Sequence, residues 1–347
     1  MLYFKNDYNA LGSDEIIQNI VKFKDEDNLG YGEDYHTKEA INLIRKEISD
    51  KYADIYFLSG GTITNRIGLY QMLRPYEAVI CVESGHINVH ETGAIESTGH
   101  KVLTVKGING KVDINEVEEV LKNHTDSHKV LIRAIYISQS TEIGTIYSKE
   151  EIINLYKFCK KNDLYLFIDG ARLGVALECD ICDFTMKDIA KYCDMFYIGG
   201  TKNGAPLGEA LVIVNDELKK NFAYLLKNQG GLLAKGYLCG IIFETLFTDS
   251  LYYRNAKNSI DKALKLREVF NKHKIVEEYK NPTNQIFVRL NKDLYNNLSK
   301  EVLFEIWEEK DNYIIARFVT NYKTTDLDIK NFDLLLSKMN HLYELIK

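Results

Sequence analysis

The chain has 347 residues, 45% of them hydrophobic and 27% charged, with 44 basic against 50 acidic residues for a formal charge of -6. This length suits one large domain with a smaller companion, and the composition is that of a globular protein rather than a disordered or fibrous one. Neither a basic stripe for nucleic acid nor an apolar run of about 18 residues for a membrane span is present, and the opening MLYFKNDYNALGSDE lacks the order of a secretory signal, so a cytoplasmic location is expected.

Residues 1–35 read as an arm with turns, in which Gly30 and Gly32 bracket Tyr31 and mark a specific backbone path. The apolar spacing of Ile41, Leu43, Ile44 and Ile48 predicts a helix from His36 or Thr37 to Tyr52. A short apolar strand at 54–58 runs into SGGTITN and a helix, IGLYQMLR, that ends before Pro75. Strands follow at 78–82 and 101–105. A helix at 114–121 is predicted with Asp113 and Glu116 spaced as a capping pair. The alternation continues with strands at 129–137, 164–168, 194–198 and 209–214, and helices at 149–162 and 186–191. Short apolar strands separated by helices indicate an α/β domain with a largely parallel sheet.

After Val214 the pattern changes. Helical spacing dominates from 216 to about 273. Strands are expected at 285–290 and 313–320, a helix between them through Leu298 to Glu301, and a last helix at 328–346. This is a smaller α+β unit. Six cysteines, at 81, 159, 179, 182, 193 and 239, are too sparse for a disulfide framework in a chain this size. Cys179 and Cys182 form a CxxC without a second pair nearby, so neither a metal nor a redox role is expected.

The residues with chemical potential lie in loops at strand ends, where open α/β sheets place ligands. SGGTITN puts exposed N–H groups and a hydroxyl before a helix, a phosphate-binding arrangement that is equally an ordinary strand–helix turn. Neither GxGxxG nor a Walker sequence is present, which disfavours a dinucleotide or ATP site. Asp169 ends a buried strand in FIDGARLG, where a carboxylate meets a protonated ring nitrogen, caps a helix or binds a metal; Arg172 follows three residues on. Lys202, in YIGGTKNGAPLG, sits among small residues that leave room for a flat ligand, whereas most lysines are solvated. Desolvated beside other cations, its amine would be freed for imine formation. His86, in ESGHINVHETGA, is placed either to stack on a planar ring and move protons or to serve as a structural loop histidine.

With NLGYGED, YISQSTEIGTIYS and ARFVT, these segments occur in one order over nearly the whole chain. In that order the sequence resembles the threonine aldolase and β-eliminating lyase group of fold-type-I pyridoxal-phosphate enzymes. The resemblance implies the α/β fold of PLP-dependent transferases, with a mostly parallel central sheet. It implies an N-terminal arm and active-site loop at 1–35, a large cofactor-binding domain at 36–245 and a small C-terminal α+β domain at 246–347. The implied cofactor is pyridoxal 5′-phosphate. Lys202 would hold it as a Schiff base, Asp169 would pair with its ring nitrogen, His86 would stack on its face, and Gly61 and Thr62 would bind its phosphate. Arg172 would lie near cofactor and substrate, and Arg317 would clamp the substrate carboxylate. Tyr31, Lys227 and Lys235 would come from a partner subunit, giving a homodimer or tetramer with shared sites.

Two departures fall at the expected substrate end. Asn6, in KND, stands where the family often has serine, which makes it a candidate substrate contact, and Asn321 follows ARFVT in place of histidine or serine. The implied reaction is aldol cleavage of L-threonine or L-allo-threonine to glycine and an aldehyde, with His86 the first candidate for the base. β-Elimination or transamination of another small amino acid would use the same cofactor contacts. A non-enzymatic binding protein of this fold is disfavoured, because the lysine, aspartate and arginine are all retained.

Overall fold

The computed structural model describes residues 1–345. Its centre is a seven-stranded sheet of β1 (Asp54–Leu58), β2 (Glu77–Val82), β3 (Lys101–Val105), β4 (Leu131–Ser138), β5 (Tyr165–Asp169), β6 (Met195–Gly199) and β7 (Glu209–Ile213), ordered β1-β7-β6-β5-β4-β2-β3. Every neighbouring pair is parallel except those made by β7, which runs antiparallel to both β1 and β6. The carboxyl ends of β1, β2, β4, β5 and β6 therefore share one edge of the sheet, and Glu209, at the start of β7, lies on the same edge.

The pleat divides the core in two. Ile135, Ile137, Phe196 and Ile198 face a layer that includes helices Tyr35–Ile48 and Tyr237–Phe247. Ala134, Tyr136, Met195 and Tyr197 face the opposite layer, where helices Gly61–Met72 and Phe222–Asn228 pack. Strands β2, β6 and β7 are buried at every position, as expected of strands covered on both faces, which explains their continuous apolar runs.

The 22-residue helix Leu251–Lys272 joins two cores: Leu251, Tyr252 and Ile260 belong to the large one, Ala263, Leu266 and Phe270 to the small one. The small unit is an antiparallel sheet of β8 (Glu277–Tyr279), β9 (Gln285–Asn291), β10 (Glu305–Glu309) and β11 (Tyr313–Val319), ordered β10-β11-β9-β8. The last helix runs Asp326–Leu345, two residues earlier in its start than its spacing suggested; Ile346 lies outside the described residues.

Several expectations need correction. The segment 1–35 is not turns alone. Helix Asp14–Lys22 lies within it, with Ile16 buried in the large core and Asp14 and Glu15 in the first turn, which suits the helix dipole. The same segment ties into the small unit, since Leu2 and Tyr3 pair with Val302 and Leu303, and Phe4 is fully buried against Phe318 and Phe332. Strands β8 and β10 gave no apolar signal because they are short and rich in glutamate. Asp113 caps its helix through the Asn115 N–H, but Glu116 reaches back to the Gly107 N–H, so the reciprocal capping pair does not form. Among the described residues no helix is long and apolar enough to cross a membrane.

Candidate active site

Two cavities open at the shared strand edge. The first, about 360 Å³, is lined by Ser59–Thr62, His86, Asp169, Arg172, Lys202 and Glu209, among others. The second, about 290 Å³, adjoins it through His86, Arg172 and Lys202 and adds His90, Glu305, Trp307 and Arg317 from the large and small units. All residues common to both cavities (Tyr8, His86, Glu142, Arg172 and Lys202) carry a functional group that can meet a ligand.

Asp169 ends β5 at the floor. Its Oδ1 accepts from the Tyr197 hydroxyl at 2.5 Å and the Ala171 N–H at 2.9 Å; its Oδ2 accepts from the Tyr136 hydroxyl at 2.5 Å and Asn65 Nδ2 at 2.9 Å. Burial by itself would raise this carboxyl, but the charge of His86 and these hydrogen bonds outweigh it and hold it below its ordinary value. The site thus keeps a fixed negative charge with little access to water. Tyr136 and Tyr197 sit on strands that read as purely apolar. Their hydroxyls are buried, and a buried hydroxyl requires a partner.

Lys202 follows β6 in a single 3₁₀ turn, Thr201–Asn203. Burial and the neighbouring Arg172 guanidinium pull its ammonium below the ordinary lysine value, against the charges of Asp7, Asp169 and Glu209. Desolvation beside a cation thus lowers the amine's basicity, the direction that favours imine formation. Glu209, which sequence reasoning did not single out, accepts the Gly200 N–H at 2.7 Å and is pushed up to about 7 by burial.

The loop Ser59–Gly60 leads into the 12-residue helix Gly61–Met72, whose N-terminal amides face the first cavity with Thr62. Gly61 has a local reason: a Cβ there would lie 3.2 Å from the Tyr197 hydroxyl that holds Asp169. His86 opens a short helix after β2. Its N–H donates to Glu142 Oε1 at 3.0 Å and its Nδ1 lies 2.8 Å from Glu91 Oε1.

Arg172 donates to Asp7 through Nε at 2.7 Å and Nη2 at 3.0 Å, a bidentate pair. Asp7 is the last residue of the KND segment. Burial would raise its carboxyl, but the charges of Arg172 and Lys202 hold it low. Arg317, on β11, donates to Gln285 Oε1 at 3.1 Å and to Glu305, and its guanidinium lies 5.3 Å from the ring of Trp307, the chain's one tryptophan. Burial and the charge of Arg172 pull Arg317 below its usual value.

The structure thus brings Lys202, Asp169, His86, Gly61, Thr62, Arg172 and Arg317 together. It does not bring Asn6 into either cavity: the Asn6 side chain donates to the Tyr3 hydroxyl and accepts the Tyr8 N–H, and Tyr8 is the arm residue that lines both. Nor do Tyr31, Lys227 and Lys235 line the cavities of their own chain. They gather elsewhere, with Lys227 Nζ 4.1 Å from the Tyr31 ring centroid and the Tyr31 N–H donating to Ala234 O at 3.1 Å.

A buried carboxylate for a ring nitrogen, an amine of lowered basicity and a helix N-terminus for phosphate are the complement of a flat, phosphorylated pyridine aldehyde, so the residues present fit pyridoxal 5′-phosphate. Fold and site together define the class of fold-type-I pyridoxal-phosphate enzymes. The pattern of the β-eliminating lyase family matches residues 4–293, and the chain belongs to that family, whose cofactor is pyridoxal 5′-phosphate. A threonine aldolase structure from Leishmania major superposes with a TM-score of 0.96 at 39% identity, covering 98% of this chain and 99% of that one. A low-specificity L-threonine aldolase from a Pseudomonas strain is 32% identical over 234 residues; the match spans 66%, just under two thirds, of each chain. The Escherichia coli K12 low-specificity L-threonine aldolase is 26% identical over 267 residues, 76% of this chain and 77% of its own.

Proposed function

We propose that this enzyme cleaves a β-hydroxy amino acid, L-threonine or L-allo-threonine, to glycine and an aldehyde. The observation that carries the reading is the pair of adjoining cavities: one holds the complement of the cofactor, and the other sets two histidines and two arginines around the space an amino acid would enter. The low-specificity L-threonine aldolases and the threonine aldolase structure it resembles support the same choice.

Pyridoxal 5′-phosphate, when bound, supplies an electron sink conjugated to the amino acid's Cα. Lys202 would hold it covalently through its amine. Asp169, anchored by Tyr136, Tyr197 and Asn65, would keep a negative charge at the ring-nitrogen end. Gly61, Thr62 and the first turn of their helix would hold the phosphate, and His86 would cover a ring face. Arg317 would take the substrate carboxylate, exchanging part of its contact with Glu305 for it; Arg172, held by Asp7, would add positive charge alongside. His86 would accept the β-hydroxyl proton as the Cα–Cβ bond breaks.

We place Tyr31, Lys227 and Lys235 in the cavity of a partner copy, in a homodimer or a pair of dimers. Their gathering on the surface of their own chain supports this, as does the exposure of Tyr31, Tyr35 and Tyr224. A cytoplasmic location belongs to the same reading, supported by six cysteines that are all free thiols, five of them buried. The test is product analysis with L-threonine. Aldol cleavage gives glycine and acetaldehyde; 2-oxobutanoate and ammonia in their place would assign β-elimination.

A further inference from the structure

None of the roles above uses Glu91, although it lies within the site. It closes the loop after β2, and its side chain is 0% exposed. Its Oε1 accepts from Asn65 Nδ2 at 2.7 Å and lies 2.8 Å from His86 Nδ1. The same Asn65 nitrogen donates to Asp169 Oδ2 at 2.9 Å. One amide therefore serves two buried carboxylates, with one proton directed to each. Glu91 Oε2 and Asn65 Oδ1 have no partner.

A buried carboxylate with one oxygen unsatisfied is costly unless a cation stands beside it. Of the two groups hydrogen-bonded to Glu91, only His86 can become one. An ionised carboxylate accepts and never donates, so the hydrogen between the two belongs to His86 Nδ1. The other ring nitrogen, Nε2, then carries the lone pair whenever His86 is neutral.

We propose that Glu91 is the positioning residue for His86. It fixes the ring in the Nδ1–H tautomer, leaves Nε2 as the acceptor, and stabilises the imidazolium that forms when a proton arrives. The inference rests on the reading of His86 as the base. In that step the β-hydroxyl proton moves to Nε2, and the O–H electron pair becomes the second bond of the aldehyde carbonyl. The Cα–Cβ pair stays with Cα, which then takes a proton to become the methylene of glycine. Asn65 keeps Glu91 and Asp169 on separate hydrogens, so the charge beside His86 and the charge beneath the cofactor are held independently.

His86 is also faced by His90 from its own loop, Glu142 from the segment after β4, Asp169 at the end of β5, Lys202 after β6, and Arg172 and Arg317 across the second cavity. Of these, Glu142 touches only the His86 backbone N–H, whereas Glu91 holds a ring nitrogen. Glu91→Gln separates charge from shape, because its carbonyl oxygen can take both hydrogen bonds that Oε1 takes now. On the cofactor-loaded enzyme we expect unchanged cofactor absorbance and an L-threonine KM close to the parent's. We expect kcat lower by about 10- to 100-fold, within the range for a displaced general base. The acid limb of the kcat profile should move to lower pH, since the imidazolium loses its counter-charge. A packing role alone would lower thermal stability and leave kcat and the acid limb in place, which would overturn the proposal.

A second measurement needs neither the variant nor turnover. In ¹⁵N-histidine-labelled wild-type holoenzyme, with His86 assigned by its loss in His86→Asn, the neutral ring should carry its hydrogen on Nδ1. Hydrogen on Nε2 would overturn the role of Glu91 while leaving the aldolase reading standing. Hydrogen on Nδ1 supports it even if threonine proves not to be the substrate.

Discussion

Lys202 and Arg317 both line the second cavity, but the roles proposed for them differ, and substitution should separate them. Lys202→Ala should fold, since the lysine serves the cavity and not the core. It should retain some cofactor through the phosphate loop and Asp169, though not covalently, and lose nearly all turnover. Arg317→Ala should keep the parent's cofactor absorbance, because Arg317 lines only the second cavity. It should bind amino acids poorly. Charge-assisted hydrogen bonds are worth roughly 1.5–3 kcal/mol each, so the amino-acid concentration that perturbs the cofactor spectrum should rise about 10- to 100-fold or more. A glycine titration like the parent's would move the carboxylate clamp to Arg172. The three cavity-lining residues Lys202, Asp169 and His86 were legible as candidates in the sequence because each sits in a short motif at or just after the end of an apolar run. Their supports were not. Asp7 means nothing until Arg172, 165 residues away, is folded against it, and Asn65 reads as one polar residue in a helix until it bridges Glu91 and Asp169.

Elements were legible where a continuous apolar run or a helical period was present, as in β2, β4 and β6 for the former, and illegible where the chain was short and polar, as in β8 and β10. Helix Asp14–Lys22 carried apolar residues at 16, 17 and 20, but its packing on the large core against helix Tyr237–Phe247 could not be read locally. What ties the N-terminal segment to the large domain is partly one buried histidine. His36 Nδ1 lies 2.5 Å from Glu244 Oε2, on helix Tyr237–Phe247, and its Nε2 lies 2.9 Å from Glu26 Oε2. Burial opposes the charged form, but the ring's hydrogen bonds to these two carboxylates win and raise His36 above its ordinary 6.5. A histidine raised on folding contributes stability that is fully present below its unfolded value and lost as pH rises through its folded value. His36→Gln should therefore destabilise the protein most at about pH 6 and progressively less above about pH 7, read as the difference in Tm between parent and variant. A gap that stays constant across that range would show that the ring contributes packing and not charge.

At the scale of the whole molecule, the two units line one site, Lys202 and Asp169 coming from the large sheet and Arg317 from the small one, and the proposed partner copy would add Tyr31, Lys227 and Lys235. Shared sites can be tested by mixing. Lys202→Ala and Lys227→Ala subunits, each inactive alone, should recover activity on exchange, since one site of the mixed dimer carries neither lesion; no recovery with exchange shown separately would refute the sharing. The fold class was legible from the strand–helix alternation and the order of the motifs. The partnership of β1 with β7 and the passage of one long helix through both cores were not, because they are set by tertiary packing. The most direct test of the central claim is an assay of glycine and acetaldehyde release from the four threonine stereoisomers by the holoenzyme. Equimolar glycine and acetaldehyde are expected from L-threonine or L-allo-threonine, and none from either D-form. Cleavage of D-threonine at the same rate, or no acetaldehyde from either L-form, would contradict that claim.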